Sequence, residues 1–384
     1  MNAEIHLYDK DTIDNLPDSQ SEVAILAKNY WLPMMKAGSS YFINNVNSQL
    51  FALAIDDLVL PVTVNSKELE NCYVCSPYNH YITYSKEELK TLENPLLEKI
   101  LEIIINIFGL FLNLGKINRV VIVHNLLLST NLYPNLSSEQ IAEITQYLKK
   151  HFRDRAIIFR SINTFVSDDL FNTFKNNGYH MIGSRQIYLF NPKDQSAMRT
   201  KMRWRLKQDL NLIQQQGYEL IDSSQIKTED IPRLVELYNA LYLEKYSYHN
   251  PQFNDRFLAL ALENKALQIK ALRKTGKIDG VIGFYEVNGV MTTPILGYDT
   301  TLPQEVGLYR MLSAQLTVEA IEKGIILHQS SGAASFKRFR GFMSNIEYSA
   351  VFYHHLPWWR QLVWRFLGVL VNRMAVPLMK KYKL

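Results

Sequence analysis

Cysteine is almost absent from this chain. The only two, Cys72 and Cys75, form a single C-x-x-C with no second pair and no histidine pair near it. Structural zinc takes four ligands, so no metal is expected, and both thiols read as alternate positions beside a buried strand in a reducing cytoplasm. There is no G-x-S-x-G elbow, no Walker A loop and no H-E-x-x-H helix, which removes serine-hydrolase, P-loop and zincin chemistry. Residues 1–6 carry neither the basic nor the apolar region of a secretory signal, so a cytoplasmic location is expected. The most apolar stretch, residues 100–114, is interrupted by Glu102 and Asn106. It is shorter than the roughly 20 residues needed to cross a bilayer and reads as a buried helix. Basicity is not spread widely either. The net charge is +5, yet residues 356–384 hold six cations (Arg360, Arg365, Arg373, Lys380, Lys381, Lys383) and no acid, leaving 42 − 6 = 36 basic against 37 acidic residues elsewhere. A near-neutral body argues against a nucleic-acid partner.

What is present suffices for more than one core: 384 residues, 47% of them hydrophobic and 21% charged, so two domains are expected. The most informative stretch is residues 298–353. An apolar strand over residues 291–298 enters the loop Asp299–Thr300–Thr301–Leu302–Pro303. The run from Gln304 through Gly307 then opens an amphipathic helix that ends near Gly324. A strand (residues 325–329), a short helix of small residues (331–339), the pair Gly341–Phe342 and another strand (346–353) follow. A glycine turn feeding a helix N-terminus suits a pyrophosphate, because free N–H groups and the helix dipole both favour an anion there.

This segment resembles motif A of the GCN5-related N-acetyltransferase (GNAT) superfamily, Q/R-x-x-G-x-G/A, reading Gln304-x-x-Gly307-x-Tyr309. Tyr309 departs from the small residue of the family. A later family pattern, A-x-x-L-Y-x-K-x-G-F, reads Ala333-x-x-Phe336–Lys337-x-Phe339-x-Gly341–Phe342, with Lys337 where many relatives place a general-acid tyrosine. Residues 201–207 and 216–220 look like the basic helix, glycine turn and strand that open the second half of Fem-type acyltransferases, which carry two GNAT folds in one chain. Residues 73–78 and 331–357 are also similar to the GNAT-like maturases that attach fatty acyl groups to ribosomal lipopeptides. The general resemblance covers about residues 150–357.

The resemblance implies an α/β fold of two tandem GNAT-like domains, twisted mixed sheets flanked by helices. It implies an N-acyltransferase that moves an acyl group, long-chain by the maturase likeness, from an acyl-CoA or acyl carrier protein thioester. The acceptor would be an amine, such as a lysine or ornithine side chain of a peptide, or a small amine. Gln304, Gly307, Leu308, Tyr309 and Arg310 would hold the donor, and Lys337 and Arg338 its phosphate or leaving thiolate. Glu347 and His328 are the candidate bases, with Tyr298 and Asp299 at strand ends beside the cleft, since amine attack on a thioester needs a proton acceptor and a donor to the carbonyl oxygen. Each of these residues also has a structural alternative, as a strand-edge polar group or a solvated cation. A Fem-type transferase using aminoacyl-tRNA and an inactive GNAT-like binding module are the other function classes.

The first half holds a weaker copy of the pattern: strands over residues 119–123, 156–160 and 181–190, helices opening at Ser137 and Asp168, and Gly178–Tyr179 in the place of Gly341–Phe342. Its loop, residues 129–136, has no glycine, so the donor is expected only in the second half. Expected boundaries are an N-terminal degenerate domain (1–192), a basic crossover helix (193–216), a donor-binding domain (217–355) and a basic, aromatic tail (356–384). In the tail Trp358, Trp359 and Trp364 interleave with Arg360 and Arg365. That pattern suits peripheral contact with a membrane, and equally a helix packed on the domain with a cationic outer face.

Overall fold

A computed structural model of the chain describes residues 5–16, 21–89, 95–194 and 199–382. The strands of the first half are β1 (Ile5–Tyr8), β2 (Gln49–Ile55), β3 (Leu58–Asn65), β4 (Val120–Val123), β5 (Ala156–Ile162) and β6 (His180–Phe190). Those of the second are β7 (Glu219–Asp222), β8 (Gln268–Lys274), β9 (Lys277–Val287), β10 (Val290–Tyr298), β11 (Ile326–His328) and β12 (Met343–Phe352). Helices α1 (Glu22–Leu26) and α2 (Leu32–Ala37) follow β1, and α3 (Tyr84–Leu89) and α4 (Pro95–Leu114) precede β4. Helices α5 (Ser138–His151) and α6 (Asp168–Asn176) complete the first half, and α7 (Thr200–Gln215) crosses to the second. There α8 (Ile231–Asn239) and α9 (Asp255–Glu263) follow β7, and α10 (Leu308–Lys323) and α11 (Ala334–Arg338) flank β11. Helices α12 (Trp358–Leu370) and α13 (Val376–Tyr382) close the described chain.

All twelve strands form one sheet in the order β1-β2-β3-β4-β5-β12-β6-β11-β10-β9-β8-β7. Read inward from either edge, the pairing senses are the same: three antiparallel joints, one parallel joint (β4–β5 or β10–β11), then two antiparallel ones. Each parallel joint is bridged by a crossover helix, α5 or α10, because parallel neighbours cannot be joined by a tight turn. This is the mixed α/β, tandem layout expected. The final strand of each half lies beside the fifth strand of the other, β12 against β5 and β6 against β11. The halves therefore interlock through the long antiparallel pair β6–β12, which runs from Leu189↔Met343 to His180↔Val351. Gly178 and Gly341, just before β6 and β12, both have positive φ (+80° and +88°), a turn that only glycine makes cheaply.

On one face, Tyr188, Phe284, Met291 and Leu327 pack under Leu308, Met311, Leu312 and Leu316 of α10. On the other, Val281, Tyr285 and Ile295 meet α8 and α9 and join the core of the first half. The tail belongs to a third cluster, in which Val363, Trp364, Leu367 and Val371 lie on Ile122, Ile182, Ile346 and Val351. Arg360 is buried and donates to the carbonyls of Gly115, Lys116 and Asp154. Asn372 accepts from the Gly183 amide at 2.8 Å and donates to the Met181 carbonyl at 2.7 Å. The tail is thus held by Arg360 to the loops before β4 and β5 and by Asn372 to β6; Lys383 lies outside the described residues.

Residues 100–114 are not the buried helix expected. Leu112 is buried on the third cluster, but Ile100, Ile103, Ile104, Ile107, Leu110 and Leu114 are exposed. The apolar residues run around more of α4 than the single face the sheet and tail can cover.

Candidate active site

The middle of the sheet carries charge where its neighbours are apolar. Arg185 on β6 and Glu347 on β12 are register partners; the Glu347 side chain is buried and that of Arg185 is mostly covered, 15% exposed. Arg185 Nε donates to Glu347 Oε1 at 2.8 Å, and Nη2 donates to the Ser129 carbonyl (2.8 Å) and Thr130 Oγ1 (3.0 Å). Among the described residues Nη1 makes no hydrogen bond. Burial alone would raise the Glu347 carboxyl; Arg185 and His328 outweigh it and hold the group down at about 2. A carboxylate at that value is ionised throughout the physiological range and is a weak base.

His328 completes the cluster from the end of β11. The Ser330 amide donates to its Nδ1 at 3.1 Å, so a neutral ring carries its proton on Nε2, which faces Glu347 Oε2 at 3.5 Å. Burial is the main cause that lowers the His328 pKa, so the ring is neutral at pH 7. The structure thus brings together two of the expected residues, Glu347 and His328, and adds a third, Arg185, that sequence reasoning missed. The available signal was a lone arginine in the middle of a strand, followed by the apolar run Ile187–Phe190.

His328 also marks a divergence. The β10–β11 ladder ends at Thr292↔His328, and β10 runs on to Tyr298 after a break in register between Thr292 and Ile295. Beyond His328 the chain stays bonded to Tyr188 of β6 through Gln329 and Ser330, and no ladder joins it to β10. An aromatic cluster lies at the start of α10. Tyr309 lies 6.1 Å from Tyr298 and 4.7 Å from Phe336, ring to ring. Burial raises the pKa values of both tyrosines.

The start of α10 is built on Gly307, which has φ +78°. A Cβ there would also lie 2.8 Å from Leu212 Cδ1 of α7 and would push that side chain aside, but it is the turn that requires glycine. Gln304 is exposed and Leu308 buried. The amides of Leu308, Tyr309 and Arg310 have no acceptor among the described residues. Arg310 is not free: its Nε bonds Asp209 Oδ1 at 2.7 Å, and Arg340 Nε bonds Asp209 Oδ2 at 2.6 Å. The buried Asp209 of α7 thus ties together two guanidinium groups beside the helix start. Arg340 also covers the Phe336 ring at 3.6 Å.

Of the remaining expected residues, Lys337 lies beside this cluster, bonded to the carbonyl of Gln329 next to His328, and Arg338 and Asp299 lie apart from it. Lys337 turns inward, donating to the carbonyls of Gln329 (2.6 Å) and Ser331 (2.8 Å), and burial brings its ammonium down to about 7. Arg338 is exposed. Asp299 belongs to an ion cluster at the far end of β10, with Arg233 Nη2 at 2.7 Å and Lys277 Nζ at 3.1 Å. Burial would raise its carboxyl, but Thr301, Arg233 and Lys277 hold it well below the usual range.

A pocket of about 270 Å³ opens between the halves, lined by residues 131–136, the end of β5, the start of α6 and the β9–β10 turn, and it ends on His328. Among the described residues one buried donor there, Asn131 Nδ2, has no hydrogen-bond partner. Asp169 stands at its rim. Among the described residues no group of three or more His, Cys, Asp or Glu could hold a metal.

No family model matches the sequence, and no curated protein matches it. Among solved structures, the chain is similar to L-PGS from Bacillus licheniformis (18% identity, 60% of this chain and 78% of that one, TM-score 0.44). It is also similar to FemX (8% identity, 60% and 80%, TM-score 0.42). A tandem GNAT protein from the clavulanic acid biosynthesis pathway is matched over more of the chain (8% identity, 91% and 98%, TM-score 0.37).

Proposed function

We propose that this protein is an acyltransferase that moves an acyl group from a thioester to an amine, with the buried Arg185–Glu347–His328 cluster beside the reacting carbonyl. The observation that carries this reading is the position of the cluster where the β10–β11 ladder ends at His328, which also lines the inter-half pocket. The donor enters along Tyr309 and Tyr298 with its phosphates near the amides of residues 308–310. The acceptor amine occupies the 270 Å³ pocket, where Asp169 offers charge complementarity. The amine nitrogen attacks the carbonyl carbon, the C–N bond forms, the C–S bond breaks, and the thiolate leaves with the proton the amine gives up. A thiolate is far more basic than a carboxylate held at about 2, so Glu347 serves to orient Arg185. Arg185 Nη1 is the donor to the developing oxyanion, a role worth roughly 10²–10³ in rate.

A long-chain acyl group and a peptide amine, with acyl-CoA or an acyl carrier protein as donor, are the finer form of this reading. Transfer from aminoacyl-tRNA is the second reading, and one observation favours it. Helix α7 exposes Lys201, Arg203, Trp204 and Lys207 on the element that covers the start of α10, a surface that suits any polyphosphate donor, RNA included. The test is thiol release from short- and long-chain acyl-CoA and acyl carrier protein with lysyl peptides and polyamines, run beside aminoacyl-tRNA. Amine-dependent thiol release with a matching mass gain on the acceptor supports the first reading. Turnover of aminoacyl-tRNA alone moves the assignment to the second. Donor binding without turnover leaves a binding module.

A further inference from the structure

The unexpected exposure of α4 has a counterpart in the tail. Trp358, Leu362, Phe366, Val369 and Arg373 recur at helical spacing along the outer side of α12 and its continuation, and the first four are exposed hydrophobics. Ile100, Ile103, Ile107, Leu110 and Leu114 do the same on α4. Phe366 lies 5.7 Å from both Phe108 and Phe111, ring to ring, so the two stripes are neighbours. Exposure is high in the middle of α4, 64% at Ile107, at its end, 77% at Leu114, and at the start of α12, 72% at Trp358. A continuous apolar surface made by two helices is far from the single scattered residues usual on a monomer.

Charge indicates what covers it. Arg365, Arg373, Lys380 and Lys381 are exposed on the tail, and Lys116 sits 5.8 Å from the Trp359 ring at the junction with α4. The tail carries no acid. Exposed Trp beside exposed cations, around an aliphatic centre, is complementary to a bilayer interface with negative headgroups. The helical run Trp358–Lys381 is long and apolar enough to cross a membrane by length and composition, but 28% of its most apolar window is buried against the protein. The bonds of Arg360 to three carbonyls and of Asn372 to β6 fix it lengthwise on the sheet. A helix held that way lies along a membrane.

We infer that α4 and α12–α13 together form a docking face for an anionic lipid bilayer, and that the protein works at that surface as a peripheral membrane protein. The face is separate from the acyl-transfer site, so this inference stands independently of the reaction proposed above.

The experiment is flotation of the full chain with vesicles of phosphatidylcholine alone and of phosphatidylcholine with about a third phosphatidylglycerol. Expected are flotation with the anionic vesicles, weakening as salt rises, and complete release by alkaline carbonate. Ile103→Glu/Ile107→Glu changes only exposed positions. It should cut vesicle binding at least about tenfold, since charge on an inserting face opposes insertion, and leave the melting temperature unchanged. Arg365→Gln/Arg373→Gln/Lys380→Gln should reduce the preference for anionic vesicles. Three results overturn the inference. One is wild-type protein that never floats. Another is binding unaffected by I103E/I107E. The third is a stable dimer that I103E/I107E converts to monomer without vesicle binding at any stage, which would make a second copy the occupant. Resistance to carbonate would replace the peripheral helix with a spanning one.

Discussion

Arg185 and Glu347 face each other across the central strand pair, one from each half of the chain, at 2.8 Å. Neither charge could be buried without the other, so the pair fixes the register in which the halves interlock as well as equipping the site. Replacing Arg185 by Met leaves an unpaired buried carboxylate and should cost about 3–5 kcal/mol of stability. The double replacement Arg185→Met/Glu347→Met should recover most of it in a melting experiment. Both variants should transfer acyl groups at least roughly 10²-fold more slowly than wild type, which separates the structural role of the pair from its chemical one.

Acid stability should depend on the same contact. The Glu347 carboxyl is held at about 2 against an ordinary 4.5. It therefore contributes stability that is fully present above about 4.5 and is lost as pH falls toward 2. In Glu347→Gln that part of the acid titration of stability should disappear. Its turnover should fall by up to roughly 10²–10³-fold, through the misplaced Arg185, without removal of any rate-limiting ionisation between pH 5 and 8, because the carboxylate does not titrate there. A limb that vanishes from the pH–rate profile would instead make Glu347 the base.

Lys337 has the opposite linkage. Burial lowers its ammonium to about 7 from an ordinary 10.5, so between these values the unfolded chain binds a proton that the folded one does not. Stability should rise with pH across that window and level off above it. Lys337→Met should flatten the rise, read from chemical denaturation at a series of pH values.

Much of the second half was legible in the sequence, because its signals are local. Asn288 and Gly289 both have positive φ in the β9–β10 turn, as an Asn-Gly hairpin requires. Gly307, Gly324 and Gly341 punctuate α10 and β12 where glycine was needed to leave right-handed geometry. The repeat was legible through Gly178 and Gly341 for the same reason. What could not be read was non-local. Nothing near residues 180–190 in the sequence says that β6 will lie between β11 and β12, and without that exchange Arg185 has no partner. Asp209 likewise looks like one more polar residue of an exposed helix until Arg310 and Arg340 converge on it from 101 and 131 positions away. The apolar run of α4 gave its helix but not its exposure, which depends on how much of its circumference the rest of the chain can cover.

Gly307 offers a test of the donor end. Gly307→Ala meets both the positive φ and Leu212 at 2.8 Å, and should destabilise by about 1–3 kcal/mol. Adding Leu212→Ala removes the clash but not the backbone strain. The double variant should regain part of the stability yet keep weak acyl-CoA binding by calorimetry, since the turn that presents the amides of residues 308–310 stays distorted. Donor affinity restored in full would mean that Gly307 serves only the packing of α7.

The account is tested most directly by single-turnover transfer from a saturating acyl thioester to an amine acceptor, comparing wild type with Arg185→Lys and Arg185→Met. Lysine keeps the positive charge but cannot hold Glu347, Ser129 and Thr130 while presenting a further N–H to the carbonyl. Wild type should show amine-dependent acyl transfer, and both variants a fall of roughly 10²-fold or more, with donor affinity little changed. Transfer by either variant within a few-fold of wild type would contradict it.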